Sequence, residues 1–202
     1  MVLTAPIDRP LTYDDLVALA DDGKRYELIG GEVYEMPAPN VVHQLALGEL
    51  FKLLSHFVLS RKLGLVFASP LDVRFDPRNI VQPDIVFLSR EKRRLMHKSN
   101  LRLIEGAPDL LIEILSSFKR GRDFIKKASL YATFGVREYW IVDPETETIF
   151  VQTLRDGVFV PLVSDDGVIR SEVLAGFEID PRGLFEIPDW MSDGVDGETD
   201  VE

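Results

Sequence analysis

The stretch Asp109-Leu110-Leu111-Ile112-Glu113-Ile114-Leu115 decides how this chain is read. Five of its seven residues are large and aliphatic, with no alternation of polar and apolar positions between Leu110 and Ile112. An uninterrupted apolar run of this length is the pattern of a strand buried on both faces, at the centre of a sheet. A helical pattern follows over residues 120–134, then a second strand over 137–142 (REYWIV). Strand, helix and strand in that order form a parallel unit. Outward from it, residues 25–36 (RYELIGGEVYEM) read as a hairpin around Gly30-Gly31. Residues 42–60 read as a long helix, with Leu47, Leu50, Leu54 and Phe57 recurring on one face. Strands are expected at 64–68, 71–75 and 81–88, and a short helix at 12–20 behind Thr12. Strands at 148–154 and 159–163 form a C-terminal hairpin around Asp156-Gly157. The expected fold class is α/β: a mixed sheet flanked by the 42–60 and 120–134 helices, with hairpins towards both ends.

Composition sets the outer limits. A chain of 202 residues with 46 % hydrophobic residues is enough for one domain with a large core, so a disordered or fibrous protein is excluded. The absence of cysteine excludes thiolate catalysis and cysteine-based zinc sites, and it fits a reducing cytoplasm. Met1–Pro10 has no apolar core of the kind a secretory leader needs, and no stretch approaches the length of a membrane span. The net charge of −11 argues against passive binding of nucleic acid by charge alone. More than half of that excess comes from six acids between Asp189 and Glu202, a segment without Lys or Arg. Residues 1–188 are therefore expected to form one domain, and 189–202 an acidic, disordered tail.

Two carboxylates stand out because their surroundings are apolar: Asp84, within Val81–Leu88, and Glu113. A carboxylate on a buried strand must be paired, be protonated or hold a metal. Two of them on neighbouring strands would make an anionic pocket whose oxygens suit Mg²⁺ or Mn²⁺. A structural ion pair is the competing reading. Asp123, Lys127 and Tyr131, at i, i+4 and i+8 of the next helix, fall on one stripe. That helix begins near the C-terminal end of the Glu113 strand, where open α/β sheets place ligands.

These residues resemble the Uma-two family of restriction-endonuclease-like proteins, within the PD-(D/E)XK nuclease superfamily. The matching residues are Tyr26–Glu32, His43, Gln82-Pro83-Asp84-Ile85, Pro108–Ser116, Asp123, Lys127, Tyr131 and Gly135–Pro144. The resemblance spans roughly residues 12–185. It implies a metal-dependent DNA endonuclease of the cytoplasm. Asp84, Glu113 and the Ile114 carbonyl would hold Mg²⁺ or Mn²⁺, and Lys127 would act on the attacking water or the phosphate. The superfamily lysine two residues after the glutamate is replaced here by Leu115, and Lys127 stands for it on the helix. Glu27, Glu32, His43, Asp123 and Tyr131 are accessory candidates. Asp109 also follows a proline, but four strand residues put it roughly 13 Å from Glu113, too far to share one ion.

Phosphate contacts are expected from Arg93, Arg94, Lys98, Lys119, Arg120 and Arg122, unless those runs are merely solvated faces. A homodimer would suit the cutting of two strands. The alternatives are a catalytically inactive binding module for nucleic acid or protein on the same fold, and RNA as the substrate.

Overall fold

The Leu110–Ile114 strand is buried along its whole length, and the rest of the chain is arranged around it. The computed structural model describes residues 2–3, 9–19, 23–96, 101–116, 122–164 and 166–186. The acidic segment 189–202 lies outside them. In chain order the elements are β1 (Val2–Leu3), α1 (Tyr13–Leu19), β2 (Arg25–Ile29), β3 (Glu32–Met36), α2 (Val41–Ser60), β4 (Gly64–Ala68) and β5 (Asp72–Asp76). They continue with β6 (Asn79–Val81), β7 (Ile85–Ser89), β8 (Leu103–Glu105), β9 (Leu110–Ile114), α3 (Arg122–Thr133) and β10 (Glu138–Asp143). The last are β11 (Thr148–Arg155), β12 (Val158–Pro161), β13 (Ile169–Arg170) and β14 (Glu178–Ile179).

The strands divide between two six-stranded sheets and a small β13–β14 pair. One large sheet runs β1-β3-β2-β6-β5-β8 and the other β12-β11-β10-β9-β7-β4. In the second sheet β9 lies between β10, which is parallel to it, and β7, which is antiparallel. The mixed α/β class is as expected. The split into two sheets is the departure from the sequence reading, and it falls within the run read as a single strand, 81–88. Val81 ends β6 in one sheet and Ile85 begins β7 in the other. Pro83 explains the break: it has no N–H to give to a ladder. Asp84 therefore sits in the crossing between the sheets, at the mouth of β7, and not within a strand.

Alternation along β9 shows why both of its faces are buried. Leu110, Ile112 and Ile114 join Leu47, Leu50 and Leu54 of α2 and Trp140 of β10 in one core. Leu111 points the other way, into a core shared with Val73 and Ile104 of the first sheet, Tyr139 and Tyr131 of α3. Leu110, Leu111 and Ile112 are each 0 % exposed, and each such side chain contributes about 2 kcal/mol of burial. Glu113 has the same parity as Leu111, so it faces α3 and the first sheet. The β2–β3 hairpin also alternates. Tyr26, Leu28 and Val33 pack with Leu16 of α1, which leaves Glu27, Ile29, Tyr34 and Met36 on the opposite face. Among the described residues no helix is long and apolar enough to cross a membrane.

Candidate active site

Glu113, the last residue but one of β9, meets two side chains of α3. Lys127 Nζ lies 2.9 Å from Glu113 Oε1 and 2.8 Å from Glu27 Oε1 of β2. Tyr131 donates its hydroxyl to Glu113 Oε1 at 2.6 Å. The i, i+4 spacing of Lys127 and Tyr131 brings both groups to one carboxylate. Helix α3 thus packs over the strand end and delivers an ammonium to it. Glu27 Oε1 also accepts from the backbone N–H of Gln82, at 2.9 Å. That bond ties the β2 carboxylate to the inter-sheet crossing.

Asp84 completes the group. The pairing of Ile85 with Ile112 brings it to the Glu113 end of β9. Its Oδ2 accepts from the Ile114 N–H at 2.7 Å and lies 3.2 Å from His43 Nε2. His43 is placed by the start of α2, where Asn40 Oδ1 caps the helix by accepting from the His43 N–H. The ring is buried, and its Nδ1 has no partner among the described residues.

The charges in this group do not balance. Among the described residues, Glu27 and Glu113 share the Lys127 ammonium, and Asp84 adds its charge beside Glu113. Burial pushes the Glu113 carboxyl up; Lys127 pulls it down, and the charges of Glu27 and Asp84 raise it again, to about 7. For Lys127, burial opposes the charged form, but Glu113 and Glu27 outweigh it and hold the ammonium above its ordinary pKa. Lys127 is therefore charged throughout the physiological range, whereas Glu113 is close to balance between its two forms. Burial, and then the Glu113 charge, push the Tyr131 hydroxyl well above its usual value, so it remains a donor.

Among the described residues no three His, Asp or Glu side chains are already gathered in a metal-binding arrangement. The donor set nevertheless fits a hard divalent cation. Its oxygens are carboxylate and carbonyl, and the Glu27 and Glu113 carboxylates share one buried ammonium, with Asp84 beside them. Asp84, Glu113 and Ile114 line one cleft of about 590 Å³, together with Glu27, His43 and Lys127. The cations Lys24, Arg25 and Lys126 line it too, and Ile29, Tyr34, Met36 and Phe124 form an apolar part of its wall.

A family model described as "Putative restriction endonuclease", Uma2, matches residues 12–182. The chain belongs to the Uma2 family. The crystal structure of a putative nuclease belonging to DUF820, from Anabaena variabilis, superposes with a TM-score of 0.74 at 21 % identity, covering 87 % of this chain and 98 % of that one. This likeness shows a shared fold. No curated protein matches the chain.

The remaining candidates on this Uma2 chain are placed elsewhere or differently. Glu32 shares a face with Glu27 but lies at the turn end of the hairpin, exposed, bonded to Tyr34 and 3.7 Å from Lys126. Glu27, two residues deeper, is the hairpin acid at the centre. Period-two alternation could not separate the two; depth along the strand does. Asp109 is buried at the opposite end of β9, where it accepts from the Ser89 N–H and faces Lys92 and Arg137. Arg93 and Arg94 lie on a short turn whose neighbour Lys92 bonds Ala107 and Pro108 carbonyls, so they too sit at the Asp109 end. The cleft cations are instead Lys24, Arg25 and Lys126, which the sequence reading missed because they come as short pairs, Lys24-Arg25 and Lys126-Lys127, a hundred residues apart and not in a long run. Lys98, Lys119 and Arg120 lie outside the described residues, as do the side chains of Arg122 and Asp123.

Proposed function

We propose that this Uma2 protein is a metal-dependent endonuclease that hydrolyses phosphodiester bonds of DNA. The observation that carries the proposal is the buried Glu27–Lys127–Glu113–Tyr131 network with Asp84 at its edge, facing a cleft large enough for a nucleotide. Asp84, Glu113 and the Ile114 carbonyl would hold Mg²⁺ or Mn²⁺. When bound, such an ion lowers the pKa of water and offsets charge on the phosphate.

The chain's own residues do the rest. Tyr131 and Lys127 both engage Glu113 Oε1, which fixes the carboxylate at the cleft wall. The Ile114 N–H and His43 fix Asp84 through Oδ2. Lys127 has three N–H donors and spends two on Glu27 and Glu113. The third is available to a non-bridging phosphate oxygen or to the attacking water, where charge develops in the transition state. His43 and Glu27 act through Asp84 and Lys127 as positioning residues. Cutting a duplex through takes two strand scissions, from the paired sites of a homodimer or from successive nicks. Absence of cysteine accords with a cytoplasmic setting.

A second reading is a nucleic-acid-binding module without hydrolysis. It is favoured by the position of Lys127 itself, whose ammonium already neutralises part of the carboxylate cluster. Relaxation of supercoiled plasmid in Mg²⁺ and in Mn²⁺ separates the two. The wild type should nick, and Asp84→Asn, Glu113→Gln and Lys127→Ala should each lose about 100-fold or more. Equal nicking by all four would expose a contaminating nuclease. No cleavage by the wild type of plasmid or of a single-stranded circular DNA, with binding of either retained, would establish the binding module.

A further inference from the structure

The apolar wall of the cleft is not explained by phosphodiester hydrolysis. Ile29 and Met36 come from the cleft face of the β2–β3 hairpin, Tyr34 lies between them opposite Glu27, and Phe124 faces them from α3. The Tyr34 ring is held at its rim: its hydroxyl donates to Glu32 at 2.5 Å and accepts from Lys126 at 2.7 Å. The Lys126 ammonium also sits 5.0 Å from the ring centroid. A duplex presents phosphates and sugars to a protein and keeps the flat faces of its bases stacked inside. It has no base face to lay against such a wall. An unpaired nucleotide has both parts: a phosphate for the cationic side and a base for the apolar side.

Resting on the nuclease reading above, we infer that the cleft takes an unpaired nucleotide, so that the substrate is single-stranded or locally opened nucleic acid and not intact duplex. The base lies against Tyr34, Met36 and Phe124, and the backbone phosphates draw on Lys24, Arg25 and Lys126, which exchange their present partners Glu35, the Pro37 carbonyl and the Tyr34 hydroxyl for them. This division of labour, apolar contact for the base and cations for the phosphates, is that of sequence-tolerant single-strand binding.

Fluorescence anisotropy with labelled oligo-dT, oligo-U and a duplex of equal length, in EDTA and in Ca²⁺, tests this without any cleavage. The wild type should bind at least one of the single strands about tenfold or more tightly than the duplex. Preference for oligo-dT would identify DNA, and preference for oligo-U RNA. Phe124→Ser should reduce the preference for single strands about tenfold. Lys126→Ala should weaken all three ligands alike and flatten the salt dependence. Duplex binding equal to or tighter than both single strands would overturn the inference. If that result came with plasmid nicking that needs Asp84, the nuclease reading would stand and the single-strand inference alone would fall.

Discussion

Replacing Lys127 with methionine keeps most of the side-chain volume and removes the one charge shared by Glu27 and Glu113. In the native protein that ammonium is 2.8 and 2.9 Å from the two carboxylates, and all three side chains are nearly inaccessible to solvent. Removing one member of a buried ion pair costs about 3–5 kcal/mol, because the remaining charge is stranded. Here two carboxylates are stranded, but protonation provides an escape. Burial, followed by the charges of its neighbours, already lifts Glu113 to about 7, and without Lys127 it rises further. The full penalty should appear at pH 8, where the carboxylates are pressed to ionise, and shrink at pH 5, where Glu113 takes up a proton. For a domain of this size each kcal/mol moves the melting temperature by roughly 2–4 °C, so K127M should melt some ten degrees or so below wild type at pH 8. Thermal unfolding followed by circular dichroism at the two pH values reads this directly. Adding Glu113→Gln to K127M should recover part of the loss at pH 8. A Tm for K127M within a degree of wild type at both pH values would refute the argument that Lys127 is the buried counter-charge of Glu27 and Glu113.

Glu113 alone should make stability depend on pH. Its folded-state pKa is raised, so its contribution is complete below the ordinary glutamate range, near pH 4, and is lost as the pH rises through about 7. Urea unfolding of Glu113→Gln across that interval should show a flatter profile than wild type, and an unchanged slope would contradict the assignment. Glu138 is fully buried and accepts from Trp140 Nε1, Ser171 Oγ and the N–H groups of Glu172 and Val173. Glu138→Leu leaves these donors unpaired, and chemical denaturation should show a loss of about 3–5 kcal/mol; a loss under 1 kcal/mol would mean that the anchor is not used. Arg93→Ala and Arg94→Ala, at the Asp109 end of β9, should leave plasmid nicking within about twofold of wild type. A large loss of nicking in either would place substrate at that end.

The sequence showed clearly those elements whose residues answer to a single environment. The DLLIEIL run announced a two-sided burial because Leu110, Leu111, Ile112 and Ile114 each meet an apolar core, and the Gly30-Gly31 hairpin and the α2 stripe were visible for the same local reason. Lys127 and Tyr131 were legible as a stripe, and their meeting with Glu113 follows from α3 packing directly over the strand that precedes it. What was not legible depended on elements far apart in the chain. The 81–88 run looks continuous because apolar residues serve either sheet equally well; only Pro83, and the diversion of the Gln82 N–H to Glu27, reveal the crossing. Glu27 could not be told from Glu32 without knowing that Lys127, a hundred residues later, closes over the deeper of the two. The Arg93–Arg94 run drew notice as a cluster of charge, yet the cations at the cleft come in short pairs, one at the start of β2 and one on α3.

The central claim is that Asp84 and Glu113 together hold a divalent cation beside the Lys127 ammonium. Crystals grown with Mn²⁺ and measured at the manganese absorption edge test it most directly. The account predicts an anomalous peak within bonding distance of one oxygen from each carboxylate, lost in Asp84→Asn and in Glu113→Gln. A peak elsewhere, or none at a Mn²⁺ concentration that supports nicking, would contradict it.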